Sequence, residues 1–338
     1  SELLETAQLT RRSKSSQRTT PSQSDPCAPL VEDEKLPHLP EALDVEAARA
    51  MLEEVVQDVY QNARLKLASA RLIRHKPGRR CLIAYAFADA ASKARLCVLG
   101  KIDAKGRHRR RFRLQHDLWS SGFDDRSADQ ISTPRPVGLA DPWNMWLQEF
   151  VPGMDGWQAL AGPQQQYYAR RISRAVDKLS QSGIPIGRSH GPADELQILE
   201  EKLPLTLEKH PRLRARIERI LAGCRRLVAN LSESVQLAIH RDFYPDQGVV
   251  KQKRVYVLGH DLVCLGDPLL DVGNFCAHLI ERSIREPGGS AVWRSAAEQV
   301  RQAFLVQRSD CEAGALESYV TLSLARHIYL STRIPGRQ

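Results

Sequence analysis

Residues 237–279 read LAIHRDFYPDQGVVKQKRVYVLGHDLVCLGDPLLDVGNFCAHL. His240-Arg241-Asp242 follows the apolar run VQLAI, which predicts a loop leaving a buried element. Gln247 stands five residues after Asp242, and two short apolar runs, Gly248–Lys251 and Arg254–Leu258, read as strands. Gly266-Asp267-Pro268 then opens a helix. Phosphoryl transfer needs such parts close together: a carboxylate to orient a hydroxyl nucleophile, and oxygen ligands for Mg²⁺ on the phosphates. H-x-D alone is common and weak. The whole of HRDFYPDQ, with a strand behind it and Gly-Asp-Pro ahead, is a far stronger signal.

The segment resembles the catalytic core of the aminoglycoside phosphotransferase-like family, small-molecule kinases with a protein-kinase-like fold. The resemblance spans roughly residues 65–335, with looser matches at KPGRR (76–80), VLGK (98–101) and WLQEFVPG (146–153). It implies an α+β, two-lobed protein-kinase-like fold, β-rich in the N-terminal lobe and mainly helical in the C-terminal lobe. It also implies roles. Asp242 is the catalytic carboxylate that orients the acceptor hydroxyl. Gln247 lends a side-chain oxygen to Mg²⁺. Lys101, at the end of a strand, pairs with the phosphates of ATP. The turn containing Gly78 covers the nucleotide, and Glu149 to Val151 form the hinge whose backbone pairs with adenine. Asp271 becomes an anchor, accepting backbone N–H groups from the catalytic loop.

At one position the pattern breaks. The family keeps a metal-binding Asp eight residues before the Asp of Gly-Asp-Pro, and here that position is Gly259. Asp261, two residues on, faces the same way as Gly259 if the strand continues, about 6 to 7 Å further along it. Asp261 is therefore the second expected metal ligand. The function expected is an ATP- and Mg²⁺-dependent phosphotransferase acting on a hydroxyl of a small molecule. The alternative is a catalytically impaired kinase-like binding protein, and Gly259 is its motive.

The rest of the chain frames this core. Residues 1–38 are rich in Ser, Thr, Gln and Pro, without a sustained apolar period, and are expected to form a disordered tail. An N-terminal nucleotide-binding lobe is expected over 39–151 and a C-terminal catalytic and substrate lobe over 152–338. Helical periodicity predicts helices near 41–62, 108–120, 163–182, 192–208, 211–231, 289–307 and 311–330. No run approaches the 18 apolar residues of a membrane span, and the first residues hold no apolar signal core, so a cytoplasmic protein is expected. The seven cysteines are scattered, with no metal or redox spacing, and read as buried thiols. A net charge of +9 favours contact with phosphates. The arginine run at 107–113 reads as a solvated helix face rather than a nucleic-acid arm, and the acidic cluster Asp194, Glu195, Glu200 and Glu201 as solvent-facing. The acceptor and the oligomeric state stay open.

Overall fold

The computed structural model describes residues 32–61, 64–89, 94–232 and 235–334. Residues 1–31 of the expected tail lie outside the described residues. Its last seven residues do not behave as a tail: Leu36 is 2% exposed, and Asp33 bonds into the neighbouring hairpin. The chain divides into two compact units. Residues up to 127 with 132–153 form the first, and 128–131 with 154–334 the second. The break after Gly153 sits beside the expected one, but residues 128–131 belong to the later unit, an excursion that no sequence signal marks.

In the first unit, α1 (Leu39–Leu43) and α2 (Val45–Val59) replace the single expected helix. Asp44 separates them in extended conformation and caps α2 by accepting from the Ala47 N–H. Strands β1 (Lys66–Lys76), β2 (Arg80–Ala88) and β3 (Arg95–Asp103) precede α3 (His108–Leu118), β4 (Pro136–Ala140) and β5 (Met145–Glu149). The sheet is antiparallel in the order β1-β2-β3-β5-β4. Period-two alternation gives it one greasy face: Ile83, Tyr85, Phe87, Val98, Ile102 and Leu147 are buried in one cluster with Leu39, Leu52 and Val56 of the helices. Leu82, Ala84, Leu99, Lys101, Trp146 and Gln148 alternate onto the opposite face.

The second unit is mainly helical. Its helices are α4 (Gly156–Ala161), α5 (Gln165–Ser180), α6 (Pro192–Lys202), α7 (Arg214–Ala229), α8 (Pro268–Arg285), α9 (Ser290–Gln307) and α10 (Ala313–Arg333). The expected 192–208 helix gives way to a 3₁₀ stretch at Leu203–Glu208, where Pro204 removes a helical N–H. Strands β6 (Met154–Asp155), β8 (Gly248–Lys251) and β9 (Arg254–Val257) form a small antiparallel sheet, and at its β9 edge the Gln130 carbonyl accepts from the Val255 N–H. Strands β7 (Leu237–Ile239) and β10 (Cys264–Gly266) pair beside it. Helix α8 starts with Asp267 as cap and Pro268 at its first position, and it is buried along most of its length. Of the six described cysteines, five are buried and Cys311 is partly so, all as free thiols. Among the described residues no helix is long and apolar enough to cross a membrane.

Candidate active site

The catalytic loop leaves β7 as the sequence predicts, and α8 holds it. Asp271 is fully buried and takes two backbone donors at once: His240 N–H to Oδ2 and Arg241 N–H to Oδ1, both at 2.6 Å. The clamp steadies a backbone that would otherwise resist: Arg241 sits at φ +68, the left-handed region that L-residues other than Asn, Asp and Gly rarely visit. Burial pushes the Asp271 carboxyl up to about 7, and the two N–H groups pull it back down. The anchor expected at Asp271 is thus formed.

His240 braces the loop from its ring. Its Nε2 lies 2.7 Å from the Leu258 carbonyl, so Nε2 carries the proton. Nδ1 is buried without a hydrogen-bond partner. Burial lowers this imidazole to about 4, which keeps it neutral. Asp242, half-buried, follows directly, and Phe243 behind it is buried against Phe275. A 3₁₀ turn, Pro245–Gln247, carries the loop into β8. Within it Asp246 accepts from the Trp157 indole at 2.7 Å.

The metal strand departs from expectation. It ends at Val257. Gly259 turns at φ +76, and His260–Leu262 is a 3₁₀ turn, so Asp261 does not share a strand face with residue 259. The alternation argument that made Asp261 its near substitute fails at that glycine. Arg188 fixes the turn instead, donating to the carbonyls of Asp261 (2.8 Å) and Val263 (2.9 Å). Gln247 fills the space left by the missing side chain: a Cβ built at Gly259 falls 2.2 Å from Gln247 Oε1. The donor test for Mg²⁺ therefore fails at this spot. A neutral amide oxygen is present, the anionic oxygen at 259 is not, and hard Mg²⁺ prefers carboxylate and phosphate oxygens. Among the described residues no three His, Cys, Asp or Glu side chains gather to hold a metal.

The remaining candidates lie on the first unit. Lys101 lies near the end of β3 on the sheet face turned away from α1 and α2, where its Nζ donates to Gln148 (2.8 Å) and lies 4.4 Å from the Trp146 ring centre. The register Arg71↔Ala84, one alternation from Leu82↔Lys101, puts Arg71 on that same face. Arg71 Nε and Nη2 are buried without hydrogen-bond partners among the described residues. An anion laid on this face would satisfy them. Sequence reading passed Arg71 over, because only the pairing register of β1 with β2 brings it onto the face of Lys101. Gly78 does occupy a tight turn at φ +66, but its N–H donates to Asp33 Oδ2 (2.8 Å) rather than standing open to a phosphate. Glu149 spends its N–H on the Arg135 carbonyl and its carboxylate on the Tyr60 hydroxyl (2.7 Å). The Val151 backbone enters none of the hydrogen bonds of the described residues, so of the two hinge candidates it is the one with groups to offer a base.

The charge clusters resolve as structure. Glu195 is fully buried against His190 and Arg326, Glu200 pairs with Arg225, and Asp194 accepts from the Gly191 N–H. Arg109 and Arg111 pair with Asp141 and Asp103, while Arg107, Arg110 and Arg113 are exposed.

These features meet known proteins at three points. The model of the phosphotransferase enzyme family abbreviated APH matches residues 107–305, more than half of the chain. No curated protein matches it. Among solved structures, a glucosamine kinase in complex with glucosamine, ADP and inorganic phosphate is 18% identical, covering 84% of this chain and 82% of its own, with a TM-score of 0.55. A choline kinase from Cryptosporidium parvum Iowa II is 10% identical, with coverage of 85% and 88% and a TM-score of 0.54. A thermostable mutant aminoglycoside phosphotransferase, solved with ADP and hygromycin B, is 12% identical, with coverage of 83% and 90% and a TM-score of 0.51. Such low identities speak to fold alone. Together with the family match, they make the two-lobed α+β, kinase-like architecture plain: this chain belongs to the phosphotransferase enzyme family.

Proposed function

We propose that the protein transfers the terminal phosphoryl group of ATP to a hydroxyl of a small molecule, with Asp242 orienting that hydroxyl. The observation that carries this reading is the loop around Asp242. Two backbone N–H groups are gripped by a buried carboxylate, and a neutral His240 ties the loop to the strand end at Leu258. A surface loop with no task has no use for so much buried polar structure, which costs free energy unless every group is satisfied. Holding a carboxylate in fixed geometry is what a transfer reaction needs, since its catalysis rests on positioning and charge. Lys101 and Arg71 are the cations for the phosphates, and Val151 offers its backbone to the base. The relatives' glucosamine, choline and aminoglycoside suggest an acceptor that joins an amine to a hydroxyl. Mg²⁺ remains part of the expectation for this chemistry.

A second reading has its own observation. With Gly259 in place of a carboxylate and Gln247 filling the gap, a kinase-like protein that binds nucleotide without turnover fits the same geometry. Calorimetric titration with ATP, with and without Mg²⁺, separates the two. Binding that tightens at least tenfold with Mg²⁺ supports the enzyme, and metal-independent binding supports the nucleotide sensor.

A further inference from the structure

Helix α8 grips the catalytic loop on both sides of Asp242. Asp271 holds the N–H groups of the two residues before it. Asn274, three residues on and so on the same helix face, is fully buried and donates from Nδ2 to the carbonyl of Phe243 (2.8 Å), the residue after it. Which end of that amide faces the loop is not left to chance. Arg326 of α10 donates from Nη2 to Asn274 Oδ1 (2.5 Å), and a guanidinium can only donate, so the amide nitrogen must face Phe243. Arg326 is held in turn: its Nη1 lies 3.4 Å from Glu195 Oε2, while Glu195 Oε1 meets His190 Nε2 at 2.6 Å. Glu195 is 0% exposed and His190 5%, on α6 and the connection ahead of it, and the Glu195 charge also faces that of Arg241 in the loop. Apolar side chains of like volume stabilise such a space as well or better, so the row of charges calls for a purpose other than stability.

We propose that Asn274 and Arg326 are positioning residues for Asp242. They fix the peptide that follows it, and thereby the direction of its carboxylate, with Glu195 and His190 holding Arg326 in place. The inference rests on the reading of Asp242 as the group that orients the nucleophile. Two variants test it. Asn274→Asp keeps the volume and the acceptor for Arg326 but loses the donor to Phe243. The double variant Arg326→Met with Glu195→Gln removes the charges as a pair, which leaves no unpartnered ion in the interior. The probe is Mg·ATP with water as acceptor, read as steady-state ADP release, beside amide hydrogen exchange of residues 241–247. The expected result for both variants is kcat lowered about tenfold or more at unchanged KM for ATP, the size of a lost positioning contact. Exchange of those amides should be faster while the melting temperature of the double variant stays near the parent's. Unchanged exchange and unchanged kcat in Asn274→Asp overturn the proposal, as does a fall in KM and kcat that merely tracks lost stability. If Asn274→Asp fails to fold, the double variant decides alone by the same two readouts. If the parent releases no ADP to water, exchange decides for or against the loop-positioning contact by itself, and the phosphotransferase reading stands or falls separately, on ADP release with small-molecule acceptors.

Discussion

At the scale of single residues, Gly259 and His240 carry the sharpest consequences. Gly259 sits at φ +76, where a side chain costs on the order of 1 kcal/mol, and a Cβ there meets the flexible end of Gln247 rather than backbone. Gly259→Ala should therefore lose about 1 to 2 kcal/mol of stability and gain nothing. Gly259→Asp should lose a similar amount but restore an anionic oxygen, and calorimetry should show Mg²⁺-dependent ATP binding tighter than in Gly259→Ala. Equal affinities in the two variants would remove residue 259 from any metal site. His240 makes a prediction about pH. Burial takes its imidazole from 6.5 to about 4, so an unfolded chain gains a proton that the folded chain refuses. Its stabilising effect is complete above pH 6.5 and is lost as pH falls towards 4, roughly 3 kcal/mol in all. Asp271 runs the other way: burial raises it to about 7, and the stability it lends at low pH is lost as pH rises from about 4 to 7. The opposing slopes mask each other in the parent. The stability difference between parent and His240→Gln, followed by urea unfolding, should shrink by roughly 3 kcal/mol between pH 7 and pH 4. A difference that ignores pH would mean the ring is not held neutral.

At the scale of elements, the segment 32–38 turns from tail into strap. Asp33 accepts from Gly78 N–H and meets His75 Nε2, both at 2.8 Å, and so ties the β1–β2 turn to the chain ahead of α1. Those two contacts hold the Asp33 carboxyl below its usual range. Leu36 adds the burial of one leucine, about 2 kcal/mol. A disordered tail over 1–38 could be deleted without changing the melting temperature. The strap predicts otherwise: deletion through Pro37 should lower it by several degrees, and Asp33→Ala by less, in thermal unfolding followed by circular dichroism. No change in either would return the segment to the tail. Why the sequence misled here is clear. Ser, Thr, Gln and Pro dominate the first 38 residues as a block, and a single Leu and a single Asp that find partners 40 residues away leave no periodic trace. Local patterns fared better where the element is local. Strand Gly248–Lys251 and the turn at 76–79 emerged as read, and α1 and α2 missed only the break at Asp44, where an N-cap outweighs the continuing apolar stripe.

At the scale of the whole molecule, the family follows from one quoted segment, because the loop, its anchor and the following helix are contiguous in sequence. What the segment could not disclose is long-range. Asn274 gave a faint signal, an amide three residues after the anchoring Asp271, yet its orientation depends on Arg326, which is 52 residues further on. Arg71 and the strand end at Val257 likewise depend on sheet register and on a backbone turn. The central claim is the role of Asp242, and one comparison tests it most directly. Parent and Asp242→Asn are assayed for ADP release from Mg·ATP with a panel of amino sugars, amino alcohols and aminoglycosides, with ATP affinity measured on both. The account predicts that at least one acceptor drives ADP release by the parent, and that Asp242→Asn cuts it about 10²-fold or more while ATP affinity stays within about twofold. Equal release by the two proteins, or ATP binding by the parent with no release for any acceptor, would contradict it.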